Sequence, residues 1–360
     1  MRALPGRAAA VWTLFASVVG AGFATGQELV PFTVACGPAS PAMAAAACVG
    51  AAVLAAGRSA YPGPWRGSSG RRPTGAREVV LAAGGRAAAM AISWISLVAM
   101  LAALAHLTAR DGGQGLSLAA WGMAVAAVAS LPAGRGLARL SSLLGPPMAA
   151  LVALSVGAWL LGAPRPSEPA GPGQGRAHGD GAGAATAAGR VSVGLRPAAC
   201  AGRAALYAAA NGLFAEAALR PLWGPDGRPG GPLRAAAAVG LPAGAVLGSL
   251  AAGSVLVVRS HLPAPPTMPL VHAAGRVHPA LGRLHAAAVA LAAYTTAVAA
   301  VVALGQGPER AAAWTAAALP VAALGFAPAV ARLYPVAGWL ALGVLAAEAL
   351  FAGRRRRGLY

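Results

Sequence analysis

Long apolar stretches, separated by short polar and basic segments, run through most of this chain of 360 residues. A helix needs about 20 apolar residues to cross a bilayer, so each long stretch is a candidate transmembrane span. Ten spans are predicted, and they cover residues 9–35, 41–57, 86–109, 115–132, 137–162, 197–219, 235–258, 281–305, 311–328 and 333–352. The pattern therefore predicts an all-α polytopic membrane protein.

The composition points to the same class. Hydrophobic residues make up 58% of the chain and charged residues 10%, whereas a soluble domain carries about 25% charged residues. The formal net charge is +19, and all 28 lysine-or-arginine positions hold arginine. Such a charge often indicates nucleic acid binding, but these arginines lie between apolar stretches, as they do in cytoplasmic membrane loops. We predict a lipid bilayer as partner, no nucleic acid, and no ordinary soluble enzyme.

The distribution of arginine predicts the orientation. With the N-terminus inside and alternating spans, 18 of the 28 arginines fall on the cytoplasmic side, including Arg2, Arg7 and the run 354–357. This bias predicts that both termini are cytoplasmic. A cleaved signal peptide is the alternative for the N-terminus. It leaves unexplained why the apolar character continues past Glu28 to Cys36.

A low-complexity segment divides the chain in two. Residues 163–190 are rich in glycine, alanine and proline, which is typical of a disordered linker. The predicted organisation is a first five-helix repeat over 1–162, an extracytoplasmic linker over 163–190, and a second five-helix repeat with a basic tail over 191–360. A second loop, 58–77, is basic and rich in glycine and proline, and it favours contact with anionic head groups.

The first span contains three glycines at mid-depth, Gly20, Gly22 and Gly26, each of which costs about 1 kcal/mol against alanine in a helix. Polar residues follow at Thr25, Gln27 and Glu28. This combination predicts an interrupted helix whose free backbone groups line a cavity. Close packing of one helix on another is the alternative. It explains the glycines but neither Gln27 nor Glu28.

The sixth span has a comparable feature. Asn211-Gly212 is a turn dipeptide near its middle, and Glu216 follows one turn later. Interrupted helices at corresponding positions of two halves indicate an inverted-repeat transporter with its site between them. The candidate substrate-binding residues are Gly20, Ala21, Gly22, Thr25, Gln27, Glu28, Asn211, Gly212 and Glu216.

Three acidic residues, Glu28, Glu216 and Glu348, fall inside predicted spans, where a carboxylate is costly and a functional candidate by default. Glu28 and Glu216 are placed to face each other across the site, and Glu28 is a candidate proton carrier. Structural alternatives are a helix cap for Glu28 and an ion pair with Arg220 for Glu216. For Glu348, we predict an ion pair near the inner interface, close to the arginine run 354–357.

Cysteine and histidine predict no metal centre. Cys36, Cys48 and Cys200 lack a C-x-x-C spacing, so we predict three buried thiols and neither a disulfide framework nor a metal site. His106, His261, His272, His278 and His285 fall at predicted outer helix ends or loops, and His178 lies in the linker. None has the spacing of a zinc-binding helix.

The eighth span carries two adjacent hydroxyls, Thr295 and Thr296. Adjacent side chains point about 100° apart on a helix. One hydroxyl can bond back to its own backbone while the other faces a neighbouring helix.

At these motifs the sequence resembles a known family. VVGAGFATGQE (18–28) resembles the opening helix of the YkvI-like family of bacterial membrane proteins. Further similarity lies at ALYAAANGLFAEAALRPL (205–222), TMPL (267–270) and AAYTTAVAAVVALG (292–305). The resemblance implies a branch of the amino acid–polyamine–organocation superfamily, with its five-plus-five inverted repeat of the LeuT type and interrupted helices 1 and 6. It also implies the inner membrane of a bacterial cell.

The resemblance further implies roles for individual residues. Gly20-Ala21-Gly22 is similar to the break whose amides hold a substrate carboxylate in amino-acid members of the superfamily. Thr295 and Thr296 resemble the hydroxyl pair that binds sodium in sodium-coupled members, where backbone carbonyls complete the shell. Here those carbonyls belong to Val18, Ala21 and Ala292. No cofactor is expected, and the coupling ion is sodium or a proton.

Together these features predict a cation-coupled secondary transporter of an amino-acid-like small solute that works by alternating access. The alternative is a membrane nutrient receptor on the same fold. An intramembrane enzyme is disfavoured, because the spans contain no His/Asp/Ser grouping and no phosphate-cradling loop.

Overall fold

The computed structural model describes residues 6–30, 36–60, 76–108, 114–129, 135–162, 197–223, 231–260, 268–305 and 308–357. Every regular element in these ranges is helical, which confirms the predicted all-α class. The predicted linker over 163–190, residues 61–75 of the basic loop, and His178 and His261 lie outside the described residues.

The described residues of the first part of the chain form six helices: α1 (Arg7–Val18), α2 (Ala21–Thr25), α3 (Ser40–Ser59), α4 (Ala76–Thr108), α5 (Gln114–Ala129) and α6 (Arg135–Gly162). The described residues of the second part form six more: α7 (Pro197–Leu219), α8 (Pro232–Arg259), α9 (Pro269–Val277), α10 (Pro279–Leu304), α11 (Pro308–Ala322) and α12 (Phe326–Arg357). Short 3-10 turns lie at Gln27–Leu29, Gly37–Ala39 and Arg220–Leu222, and α8 contains a π-helical turn at Ala236–Gly240. Proline opens each helix from α7 to α11, where its fixed φ and missing N–H suit the first helical position.

A helix, continuous or interrupted, lies at each of the ten predicted spans. Among the described residues, six helices are long and apolar enough to cross a membrane: Gly37–Ser59, Ala83–Thr108, Gly136–Gly162, Pro232–Arg259, Pro279–Leu304 and Pro328–Leu350. The apolar pattern does not predict α9, which lies between the seventh and eighth predicted spans. With 9 residues it is too short for a span and too mixed in polarity to stand out as one.

The helices pack in two groups around a buried centre. In one group, α3 packs between α7 and α8, with α1 beside them; in the other, α10 packs against α4 and α6. The central helices α4 and α10 are the most buried of the candidate spans. Small residues bring the first group close together, because Gly240, Gly244 and Gly248 on one face of α8 lie directly against the α3 backbone.

The predicted interruption of the sixth span is wrong, since α7 runs without a break through Asn211 and Gly212. The Asn211 Nδ2 atom donates to the carbonyl of Tyr207 at 3.1 Å, so the polar side chain is satisfied one turn back in the same helix. Gly212 serves packing, because a Cβ there would lie 2.7 Å from the Leu54 side chain of α3. Both residues therefore fit a continuous helix.

The prediction of three free thiols is wrong for two of them. Cys36 and Cys200 form a disulfide that joins the segment before α3 to the start of α7, while Cys48 is a buried free thiol as predicted. The two bonded cysteines are 164 residues apart. No local spacing marks them as partners, because only the packing of α7 on α3 brings them together.

Candidate functional site

The first span is interrupted at the predicted glycines. α1 ends at Val18, Gly20 is extended, and α2 resumes for 5 residues before Gly26 turns into the left-handed region with φ of 84°. A Cβ at Gly26 would lie 2.9 Å from Val258 and 3.0 Å from Leu270. Glycine is therefore required there both by the backbone angle and by the space that α8 and α9 leave.

One face of α10 supports both sides of this interruption. The Thr296 hydroxyl donates to the carbonyl of Ala16 at 2.8 Å, and His285 Nε2 lies 2.9 Å from the carbonyl of Ala24. Since a carbonyl only accepts, His285 Nε2 is the donor. The Ala16 carbonyl needs this partner because the Gly20 amide, its usual helical donor, binds Val18 instead.

His285 was not among the predicted site residues, because it was assigned to an outer helix end. Its side chain is fully buried. The available signal was its position inside the apolar stretch 281–305, where an ionisable group calls for a partner. Eleven residues separate it from Thr296 in the sequence, about three helical turns, so both point to the same side of α10.

The two threonines divide their roles as the helical geometry predicts. Thr295 bonds back to the carbonyls of Leu291 and Ala292, both at 3.0 Å, while Thr296 reaches across to α1. The Thr296 methyl group also lies beside the break, 3.6 Å from where a Cβ at Gly20 would stand. The sodium shell with Val18, Ala21 and Ala292 stays a prediction.

A cavity of about 270 Å³ opens beside the turn that follows α2. Its walls come from the turn after α2, from the first half of α7 and from the first turns of α12, and they are largely apolar and aromatic. The lining residues are Gln27, Glu28, Val30, Arg203, Leu206, Tyr207, Ala210, Asn211, Val330, Ala331, Tyr334 and Pro335. Of the nine predicted substrate-binding residues, Gln27, Glu28 and Asn211 line it.

Glu28 is the buried carboxylate of this cavity. Its side chain is 6% exposed and folds back over Gly22, so that any Cβ at Gly22 would overlap it. The Tyr334 side chain is its neighbour in the cavity. Among the residues that the structure describes, Glu28 Oε2 and Gln27 Oε1 are buried without a hydrogen-bond partner. Two of the residues that line the cavity therefore each have an unsatisfied acceptor.

The other predicted site residues have local roles. Thr25 donates to the carbonyl of Gly22 at 3.2 Å and accepts from the amide of Gln27 at 3.4 Å. Gly20 and Gly22 form and flank the break, and Ala21 begins α2. Gly212 contacts α3 and does not line the cavity.

Glu216 belongs to an ionic network at the other end of α7. Its carboxylate binds Arg220 at 2.5 Å, as the structural alternative proposed, and Arg58 at 2.6 Å. Arg58 also forms a two-point pair with Glu348, with Nη2 to Oε1 at 2.9 Å. Thus Glu216 does not face Glu28 across the cavity. Among the described side chains the partner of Glu348 is Arg58, and the side chains of the arginine run 354–357 lie outside the described part of the structure.

Comparison with known proteins identifies the fold. No family model matches the chain, and no curated protein matches its sequence. The structure is similar to that of Mhp1, a nucleobase-cation-symport-1 family transporter, in a closed conformation with bromovinylhydantoin bound. The TM-score is 0.51 at 18% identity, over 94% of this chain and 74% of that chain.

At this identity the likeness shows the fold alone. The chain is a multi-pass helical membrane protein with the fold of a transporter. Membership of the YkvI-like family stays a prediction.

Proposed function

We propose that this protein is a secondary transporter that carries an amino-acid-like small solute by alternating access, coupled to sodium or to a proton. The observation that carries the proposal is the cavity beside an interrupted helix, where the buried carboxylate of Glu28 and the amide of Gln27 each have one unsatisfied acceptor. Interrupted helices at mid-membrane are where secondary transporters place solute and ion. The fold likeness to a cation-coupled transporter supports the same reading.

Two places suit the coupling ion. The first is the region of Thr295 and Thr296, where hydroxyl and carbonyl oxygens lie beside the break in α1. The second is Glu28, for which no ion pair exists among the described residues. A buried and unpaired carboxylate is costly, which favours either a bound proton or a cationic partner at Glu28.

Uptake into liposomes tests the proposal. The purified protein is reconstituted, and radiolabelled amino acids and related amines are supplied under a sodium gradient, under a pH gradient, or under neither. We expect one gradient to drive accumulation above the outside concentration, and the matching ionophore to abolish it. Solute binding in detergent without accumulation under any gradient would instead support the receptor alternative.

We further propose that the protein lies in the inner membrane of a bacterial cell, with both termini cytoplasmic and the disulfide on the outer side, and that it belongs to the YkvI-like family. The arginine distribution supports this orientation. The disulfide agrees with it, because such bonds persist in oxidising compartments.

A further inference from the structure

Two neighbouring residues of the cavity wall, Gln27 and Glu28, each have a buried acceptor without a partner among the described residues. These acceptors are Glu28 Oε2 and Gln27 Oε1. Buried polar groups of native proteins are normally satisfied, so these acceptors indicate a ligand that supplies donors.

We infer that the cavity binds its solute through a protonated amine seated between Glu28 and Gln27; this inference rests on the proposed function and gives the chemical class of its solute. A primary ammonium has three N–H donors and no acceptor. It satisfies Glu28 Oε2 and Gln27 Oε1 together, and its positive charge compensates a carboxylate that has no other ionic partner in the described structure.

The same geometry excludes a carboxylate-first pose at Gly22. The resemblance to amino-acid transporters places the substrate carboxylate on the backbone of the break, but here the Glu28 side chain already covers Gly22. A second carboxylate would meet like charge at Glu28 and a further acceptor at Gln27. The bound solute therefore has the opposite polarity, with its amine toward the break.

The rest of the cavity defines the body of the solute. Tyr207, Tyr334, Leu206 and Val330 form an aromatic and aliphatic wall, which suits a branched or aromatic hydrocarbon. Arg203 also lines the cavity, and its side chain is exposed. It offers a partner to the carboxylate of an amino acid, so the amine belongs to a simple amine or to an amino acid.

A matched set of probes tests the inference by thermal stability of the purified full-length protein, because a ligand of the folded state raises its melting temperature. Leucine is compared with isoamylamine, which lacks the carboxylate, and with 4-methylpentanoate, which lacks the amine. Tyrosine, tyramine and 3-(4-hydroxyphenyl)propionate form the aromatic set. We expect the amine-bearing members of at least one set to stabilise the protein at millimolar concentration, and neither carboxylate to do so.

Three variants test whether the amine binds at Glu28. Glu28→Gln keeps the shape of the side chain but removes its charge, and should weaken amine binding at least about tenfold, as expected for a lost charge-assisted hydrogen bond. Gly22→Ala displaces the Glu28 side chain without changing any charge and should weaken it as well. Glu309→Gln removes an exposed carboxylate at the start of α11 and should leave binding unchanged.

Arg203→Gln distinguishes an amino acid from a simple amine as the bound solute. Weaker leucine binding with unchanged isoamylamine binding identifies an amino acid, and no change in either identifies a simple amine.

Three results would overturn the inference: stabilisation by 4-methylpentanoate equal to that by leucine, no stabilisation by any amine in either set, or full amine binding in both Glu28→Gln and Gly22→Ala. If Glu28→Gln does not fold, Gly22→Ala decides. Amine binding without transport in liposomes would leave the inference standing and refute the proposed function. Transport of a carboxylate without amine binding would refute the inference and leave the proposed function standing.

Discussion

Buried carboxylates near the two ends of α7 differ in whether they have ionic partners. At the end near residue 216, Glu216 is 2% exposed and held by two arginines, and Glu348 is held by one of the same pair. At the cavity end, Glu28 is almost as buried but has an oxygen without a partner among the described residues. All three look alike in the sequence, as acids within apolar spans. Their partners give Glu216 and Glu348 a structural role, whereas Glu28 is the residue for which we propose a functional one.

A disulfide restrains the start of α7, and ion pairs restrain its end. The disulfide joins the start of α7 to the segment before α3, and Arg58 joins the end of α3 to α7 and α12. The cavity lies between these two restraints, lined by the first half of α7 and the first turns of α12. Such an arrangement holds α7 on both sides of the stretch that lines the cavity.

The largest expected effect comes from breaking the ionic end. Arg58→Ala leaves two carboxylates without their shared partner, and removing one member of a buried ion pair costs about 3–5 kcal/mol. We expect the variant to unfold at a markedly lower temperature. Arg220→Ala is the matched control: its side chain is 40% exposed, and Glu216 keeps Arg58, so the loss should be about 1 kcal/mol or less. Equal losses in both variants would contradict a network centred on Arg58.

Removing the covalent restraint should have the next largest effect. The double change Cys36→Ser and Cys200→Ser is expected to lower stability by about 2–4 kcal/mol, the usual contribution of a disulfide that closes a long loop. A reducing agent should lower the melting temperature of the parent and of Cys48→Ala, and should not affect the double variant. A reductant-insensitive parent would show that the two cysteines are not bonded.

Glu28→Gln should separate function from stability. Because Glu28 lacks an ionic partner in the described structure, the change should cost about 1 kcal/mol or less of stability, as for a helix cap, while uptake falls at least about tenfold. Glu216→Gln should show the opposite pattern, with a large loss of stability. Thermal unfolding and liposome uptake, measured on both variants, check the comparison. Wild-type uptake by Glu28→Gln at every pH would remove Glu28 from the mechanism.

The smallest expected effect concerns the support of the break. Thr296→Ala removes the donor to the Ala16 carbonyl and should cost about 1 kcal/mol, the usual net value of one hydrogen bond. Thr296→Ser should restore it, and Thr295→Ala should cost less because Thr295 bonds only to its own helix. If sodium is the coupling ion, Thr296→Ala should also weaken the sodium dependence of uptake. Uptake that never depends on sodium in the parent would direct attention to Glu28 and the proton.

The interrupted first span and the continuous sixth span show the limit of predicting a helix break from the local sequence. Both contain glycine beside a polar residue. In the first, three glycines and the left-handed turn at Gly26 exceed what a helix accommodates. In the sixth, the Asn211 side chain donates to a backbone carbonyl one turn back in the same helix, and Gly212 packs against Leu54. The sequence shows the same residue types in both places, and only the neighbouring helix distinguishes a break from a contact.

The sequence by itself determined the features that depend on near neighbours in the chain. These are the helical class, the positions of the apolar helices, the break at Gly20–Gly26, the Glu216–Arg220 pair and the division of roles between Thr295 and Thr296. Apolar length, glycine content and helical periodicity act over a few turns, so they can be read directly.

The tertiary structure alone decided which distant residues meet. It joined Cys36 to Cys200, placed Arg58 between Glu216 and Glu348, and brought His285 to the carbonyl of Ala24. It also left Glu28 in the cavity without an ionic partner among the described residues. The physical reason is that bonding and burial depend on which helices pack together, and nearly uniform alanine-rich spans carry little local information about their neighbours.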